Sequence, residues 1–203
     1  MGQLRLFESA PAMPGGFTYQ PEVFSRLFEQ QLVAFIAELP FKAFEFHGHT
    51  GNRRVVSYGW KYDYDAEMAY RVAEIPEFLH ALRGYAARVA GMKPERLQQA
   101  LVTEYQPGVS IGWHRDKAIY GQVVGVSLLS ACTFRLRLKT GASWLRKSLV
   151  VEPRSIYVLD GPARTEWEHS IASVDKLRYS ITFRNLRDEA MGSAGQLRDL
   201  RSS

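Results

Sequence analysis

Five residues carry the chemistry of this sequence. His114-Arg115-Asp116 sets a histidine and an aspartate two positions apart, and His169 follows 55 residues after the first. Arg178 and Arg184 stand a little further on, in Arg178-Tyr-Ser-Ile-Thr-Phe-Arg184. Two histidines and one carboxylate form the ligand set of non-haem Fe(II) sites that keep coordination positions open. Two arginines could hold a dicarboxylate, because guanidinium groups pair with carboxylates in bidentate fashion. The combination is that expected of an oxygenase taking iron, 2-oxoglutarate and O2.

Each residue alone has an ordinary reading. A His-x-Asp pair is common, and a lone histidine before serine is more often a hydrogen-bonded structural residue. His47, His49 and His80 are read in that way, since no carboxylate completes a set with them. Zinc on His114, Asp116 and His169 is a competing reading. It needs a hydrolytic water and leaves the arginines without an obvious purpose.

The elements around these residues must aim them at one point. Alternate side chains of a strand share a face, so His114 and Asp116 can address one metal if their segment is extended. In 178–184 the parity puts Arg178, Ser180, Thr182 and Arg184 on a polar face and Tyr179, Ile181 and Phe183 on an apolar one. An edge strand would leave the polar stripe in water. A central strand would turn it into a barrel, where two guanidiniums need an anion. The arginine Cα atoms are roughly 20 Å apart along the strand, a span their long side chains can close on a short ligand. Thr103 and Tyr105 share a face of a predicted strand at 100–106 and could add hydroxyl contacts.

From residue 100 onward, short β-like runs separated by Gly, Pro and Asp predict strands near 100–106, 110–115, 122–129, 132–138, 148–151, 155–160, 167–172 and 178–185. Ahead of them the spacing predicts two helices. One begins at Pro21 and ends at Pro40, with Val23, Phe24, Leu27, Phe28, Phe35, Ile36 and Leu39 as its apolar positions. The other runs from about Pro76 to Val89 and stops at Gly91. Residues 9–16 read as a loop and the tail from Asp188 as frayed. The expected architecture is mainly β with flanking helices: a jelly roll in a single domain over 1–203. Within it, 1–99 supplies helices and a lid, 100–187 the catalytic core and 188–203 a polar tail.

Composition sets bounds. The 203 residues are 46% apolar, 23% charged and 12% aromatic, with a net charge of +5, which suits one globular domain. The positive balance favours a polyanionic partner, or only keeps the surface solvated. Cys132 is the single cysteine, so no intramolecular disulfide or cysteine zinc site can form, in keeping with a cytoplasmic setting. No membrane-length apolar run and no signal pattern is present, and Leu6 argues against myristoylation. A monomer without a membrane partner is expected.

The ordered segments resemble the AlkB family of Fe(II)- and 2-oxoglutarate-dependent dioxygenases. They are Thr103-Glu-Tyr105-Gln-Pro-Gly108, Ile111-Gly-Trp-His114-Arg-Asp116-Lys117, Val124-Gly-Val-Ser127-Leu128, Arg154-Ser-Ile-Tyr-Val-Leu-Asp160-Gly161, Trp167-Glu-His169-Ser-Ile171 and Arg178-Tyr-Ser-Ile-Thr-Phe-Arg184. The resemblance spans roughly residues 100–187. It implies a double-stranded β-helix, iron on His114, Asp116 and His169, and 2-oxoglutarate against Tyr105, Arg178 and Arg184, with Thr103 and Ser180 nearby. Family members often carry Asn at those last two positions. Ala118 stands where the best-studied bacterial member has an acidic residue that helps read the base.

The resemblance further implies oxidative demethylation of alkylated nucleobases in DNA or RNA, with formaldehyde, succinate and CO2 released. The base would be flipped or single-stranded. The lid is predicted in Arg53-Arg54-Val-Val-Ser-Tyr58-Gly-Trp60-Lys-Tyr62-Asp-Tyr64, which mixes cations and aromatics as nucleic-acid grooves do. Alternation puts Tyr58, Trp60, Tyr62 and Tyr64 on one strand face, either for base stacking or as a packed aromatic strip in a hairpin. The Arg-Arg-x-x-x-x-Gly-aromatic pattern also looks like the branch that modifies tRNA wobble uridines. The same chemistry on a tRNA base, a protein or a small molecule is therefore an alternative. A metal-free jelly-roll binding module is a remote one, which the complete ligand set argues against.

Overall fold

Residues 13–46, 49–63 and 68–187 are described in a computed structural model of the chain. The chain order is β1 (Phe17–Gln20), α1 (Arg26–Ala37), β2 (Lys42–Phe46), β3 (His49–Tyr58), β4 (Trp60–Asp63), β5 (Met68–Arg71) and α2 (His80–Val89). Then follow β6 (Gln99–Tyr105), β7 (Ile111–His114), β8 (Tyr120–Leu128), β9 (Cys132–Thr140), β10 (Ser143–Val151), β11 (Ser155–Leu159), α3 (Gly161–Thr165), β12 (Glu168–Ile171) and β13 (Arg178–Leu186). A seven-stranded sheet has the order β1-β11-β8-β13-β6-β3-β2, and a four-stranded sheet the order β10-β9-β12-β7. All pairings are antiparallel. The two sheets sandwich one core in a jelly roll. β4 and β5 form a separate hairpin.

Strand parity decides what lies where. Tyr179, Ile181 and Phe183 of β13 face the helices and pack with Leu32, Ile36, Leu79 and Leu82. Each fully buried Leu or Ile contributes roughly 1.5–3 kcal/mol, so these four side chains suffice to dock the helices on the large sheet. The opposite face of β13 turns toward the small sheet. Tyr105, Val123 and Tyr157 of the large sheet meet Phe134, Leu136 and Ile171 of the small one there. β13 is central, flanked by β6 and β8, and its polar stripe is therefore inside the roll.

Several boundaries differ from the sequence expectation. α1 starts at Arg26, with the Ser25 hydroxyl accepting from the Phe28 amide at 3.2 Å. Pro21 is outside the helix because Glu22 takes a positive φ of 49° and the Val23 amide is spent on the Arg154 carbonyl. Of the apolar positions assigned to this helix, Leu27 and Phe35 are exposed. Phe35 stacks instead on Phe78 at 5.3 Å. The second helix opens with a 3-10 turn at Glu77–Leu79 and stops as expected before Gly91, whose φ is +67°. β10 extends well beyond 148–151 because it pairs with β9 along its whole length. β1 lies just past the loop expected at 9–16, in residues for which no strand was expected, and arises from the pairing of Phe17–Gln20 with β11. No helix among the described residues is long and apolar enough to cross a membrane. The tail from 188, His47 and Tyr64 lie outside the described residues.

Candidate metal centre

His114 closes β7 and His169 lies on β12, directly opposite in the ladder. Their rings stand 4.3 Å apart between centroids. Asp116 is not on a strand. β7 is the edge of the small sheet, and the chain leaves the ladder after His114. The shared strand face expected for His114 and Asp116 therefore ends at the first ligand, and side-chain tethers place the second. Arg184 supplies them: its Nε donates to Asp116 Oδ1 at 2.8 Å and its Nη2 lies 2.6 Å from the same oxygen. The result is a cluster of one ligand atom each from His114, Asp116 and His169, all within 4.8 Å of one another.

The electrostatics suit a cation. Burial opposes ionisation of Asp116, but the Arg184 guanidinium, helped by Arg164, outweighs it and holds the carboxyl well below the usual range. Burial, then the neighbouring His114, push His169 down to about 3. Burial also lowers His114, against the pull of Asp116. Both imidazoles are thus neutral, the form that binds metals. His114 Nδ1–H donates to the Gly112 carbonyl at 2.9 Å, which leaves Nε2 its lone pair. Asp116 Oδ2 is buried with no hydrogen-bond partner and lies 3.5 Å from His169 Nε2. An orphaned carboxylate oxygen beside two neutral imidazoles is a donor set that fits Fe(II). Phe134, stacked on His169 at 5.6 Å, and Tyr157, 4.6 Å from Phe134, form an apolar wall behind it.

The second feature is Arg178. It is 0% exposed and has no acidic partner among the described residues. Its Nη2 donates to the Ser127 hydroxyl at 3.1 Å, and the guanidinium lies 4.8 Å from the Tyr105 ring. The Tyr105 hydroxyl and the Cys132 thiol are close by, yet Nε and Nη1 make no well-formed hydrogen bond. A buried, unneutralised guanidinium costs several kcal/mol, so this is a place for an anion. The two arginines thus differ in a way their equal spacing did not suggest. Arg184 is engaged with Asp116 and donates through Nη1 to Gln99 at 2.9 Å. Tyr105 and Ser180 hydroxyls bond to each other at 3.2 Å, and Thr103 is buried opposite Ser180.

The lid residues separate. Arg53 is felt as a charge at His114. Arg54 lies on the other face of β3 and pairs with Glu104 at 3.0 Å. Tyr58, with the same parity as Arg54, packs against the helix-side core. Gly59 turns the chain at a φ of +74°, where a Cβ would collide with the Gln98 carbonyl. The alternation from Tyr58 to Trp60 is therefore broken, and Tyr58 does not share a single aromatic face with Trp60 and Tyr62. Trp60 and Tyr62 belong to β4, with Arg71 over Trp60 at 5.4 Å and Lys117 over Tyr62 at 5.0 Å. The last contact ties the hairpin to the residue after Asp116. His80 is structural as expected, with Nε2 donating to the Ile75 carbonyl at 3.0 Å.

Three participants escaped the sequence reading. Ser127 and Gln99 are polar residues on strands that are buried along most of their length, a signal that was available. Arg164 is buried and donates to the carbonyls of Lys117 (2.6 Å), Tyr120 (2.9 Å) and Gly121 (3.0 Å), clamping the turn after Asp116. Nothing local marks it, because its acceptors lie more than 40 positions away.

Residues 24–184 match the family model of the 2OG-Fe(II) oxygenase superfamily, and the chain belongs to that superfamily. Within it the chain is AlkB-like. It is 27% identical over 208 residues to the alkylated DNA repair protein ALKBH8 homolog of Arabidopsis thaliana, covering 90% of this chain and 58% of that protein. It is 30% identical over 131 residues to the uncharacterized protein L905 of Acanthamoeba polyphaga mimivirus, covering 57% of this chain and 60% of that one. The chain thus matches about three fifths of the length of these relatives. Among solved structures, OsALKBH1 superposes with a TM-score of 0.65 at 14% identity, covering 86% of this chain and 98% of that chain. A Pseudomonas putida prolyl-4-hydroxylase gives 0.58 at 14%, covering 85% and 93%. These two similarities speak to the fold. The chain therefore carries a 2-oxoglutarate-dependent dioxygenase domain, a family whose chemistry takes Fe(II), 2-oxoglutarate and O2, and His114, Asp116 and His169 could bind the iron.

Proposed function

We propose that this enzyme oxidatively demethylates alkylated nucleobases in DNA or RNA. The observation that carries the reading is the β4–β5 hairpin, which sets Tyr62 against Lys117, one residue from Asp116. Tyr62, Lys117 and Arg53 thereby stand near the metal cluster, and Trp60 follows on the same strand, two residues from Tyr62. Aromatics offer a stacking platform worth roughly 1–3 kcal/mol per base, and cations contact the phosphates. A base within a duplex could not reach a cluster this buried, so the substrate is single-stranded or flipped. The name of the Arabidopsis relative, an alkylated DNA repair protein, agrees with this reading.

His114 Nε2, His169 Nε2 and Asp116 Oδ2 hold the iron in this proposal. Arg178 takes one carboxylate of 2-oxoglutarate through Nε and Nη1, with the Tyr105 hydroxyl beside it. Arg184 keeps Asp116 ionised and borders the keto-acid end. Thr103 and Ser180 support Tyr105. Iron held there would supply the activation of O2, by which one oxygen atom would enter a C–H bond of the N-methyl group and the other would join succinate, with loss of CO2. The hydroxymethyl group then leaves as formaldehyde and the base is restored. Phe134 and Tyr157 keep water from the histidines, while Arg53 and Lys117 hold the phosphates so that the base stays in register.

The test is an anaerobic Fe(II) and 2-oxoglutarate titration, followed by turnover on methylated oligonucleotides with succinate and formaldehyde both measured. A weak visible charge-transfer band should form in the wild type and vanish in His169→Ala, and methylated strands should release the two products in equal amounts. Succinate formation indifferent to every methylated strand would sink the reading. The Arg53-Arg54-x-x-x-x-Gly59-Trp60 pattern favours one second reading, hydroxylation of a modified tRNA wobble base. That reaction would consume 2-oxoglutarate with tRNA and release no formaldehyde.

A further inference from the structure

The small sheet has two faces. The inner one carries His114 and His169. The outer one is not covered by either long helix, since both pack on the large sheet. A solvent face of an antiparallel sheet is ordinarily polar, yet this one carries Trp113 and Trp144. They are organised around arginines. The Arg137 guanidinium lies 4.6 Å from the Trp113 ring and 4.1 Å from the Trp144 ring, and Arg135 is 5.2 Å from Trp113. Arg137 Nε also donates to Glu168 at 2.6 Å, and Arg135 Nε to the Ser170 hydroxyl at 3.0 Å. Strand register puts Lys139 and Arg146 on the same face, both exposed. Among the described residues on the strands of this face, Glu168 is the one acidic side chain against these four cations.

We propose that this outer face is a contact surface for a single strand of nucleic acid, distinct from the base-binding mouth; the inference rests on the nucleobase reading above. Charge complementarity selects a polyanion. Aromatic rings interleaved with cations select one that carries bases as well as charge. The stacking holds Arg135 and Arg137 in place before any ligand arrives, so less side-chain entropy is lost on binding. The location also fits. β7 is the sheet's edge, with His114 pointing inward and Trp113 outward at adjacent positions. A strand whose target base enters at His114 needs only to pass over this edge to lie across Trp113 and the arginines. The outer face then extends the binding site by several nucleotides, reads no sequence and raises affinity for long strands over short ones.

The double variant Lys139→Gln/Arg146→Gln tests this, because both side chains are exposed and neither touches the metal cluster. Binding of a fluorescein-labelled, unmethylated 15-nucleotide strand is measured by anisotropy across a salt series. Turnover of a methylated trinucleotide is measured in parallel. Each phosphate contact on a single strand contributes about 0.7 to the slope of log K against log salt. Loss of two should reduce the slope by about 1.4 and weaken 15-mer binding about 25-fold at 0.1 M salt. Trinucleotide turnover should be unchanged. Unaltered 15-mer affinity, or a loss with no change in slope, would overturn the proposal. So would displacement of the 15-mer by polyglutamate as readily as by unlabelled strand, which would indicate an acidic protein as partner. If the wild type turns over no methylated strand but still loses 15-mer binding in the variant, the demethylation reading fails and this surface stands.

Discussion

Replacing Arg178 with Met removes the guanidinium and its charge while keeping an unbranched apolar stem. In the wild type, Nε and Nη1 are buried donors without partners. If a carboxylate of 2-oxoglutarate occupies them, two charge-assisted hydrogen bonds form, each worth about 1.5–3 kcal/mol. Their loss should weaken 2-oxoglutarate binding by about 3–6 kcal/mol, or roughly 10²- to 10⁴-fold. Iron affinity should barely change, because Arg178 contacts Ser127 and Tyr105 and none of the three metal ligands. The protein without co-substrate should be as stable as the wild type or more so, since a buried unpaired guanidinium costs several kcal/mol and Met does not. The assay combines an anaerobic 2-oxoglutarate titration of the Fe(II)-loaded protein with thermal unfolding of both apo proteins. Unchanged 2-oxoglutarate affinity would refute the reasoning. So would a variant that loses iron binding and apo stability together, since Arg178 would then be structural.

Arg184→Gln should act on the metal instead, because both contacts to Asp116 Oδ1 disappear; removal of such a supporting contact typically costs 10- to 100-fold in metal affinity, measured by anaerobic Fe(II) titration, and an unchanged value would separate Arg184 from the centre. Arg164→Met should strip three carbonyls of their donor and destabilise the fold by about 3–5 kcal/mol, with amide exchange accelerated at 117–121 as the local signature; uniform loss of protection would argue against a clamp. The apo protein should lose stability on acidification. His169 sits at about 3 against an ordinary value of 6.5, so the unfolded chain takes the proton first. Stability is full above 6.5 and falls as pH drops toward 3, on the order of 1 kcal/mol per pH unit for the one proton. The lowered His114 adds in the same direction, and His169→Phe should flatten the dependence in pH-resolved thermal melts.

Much of the catalytic half was legible because its information is local. Alternation in 178–184 identified both faces of β13 before either could be seen, since a pleated strand has a period of two wherever it sits. The eight strand positions after residue 100 were marked by Gly, Pro and Asp between apolar runs, with β10 cut short by five residues and the others placed to within two. The N-terminal half was harder. Pro21 satisfied every local rule for a helix start, but the Val23 amide was taken by Arg154, a partner 131 positions away. Gly59 broke the aromatic strip for a similar reason, as β4 leaves the large sheet to pair with β5 alone.

The sequence by itself determined the donor chemistry: two imidazoles, one carboxylate and two guanidiniums, in an order that only a β scaffold brings together. It also determined which face of β13 is polar, because that follows from backbone geometry. The tertiary structure alone decided how the two arginines divide. Identical side chains at equivalent parity differ only in their neighbours, Asp116 and Gln99 for Arg184, Ser127 and Tyr105 for Arg178. Those neighbours come from other strands and from a turn beyond β7. Pairing across strands is long-range and sets which charge is already neutralised, so the anion site at Arg178 exists only once the sheets have closed.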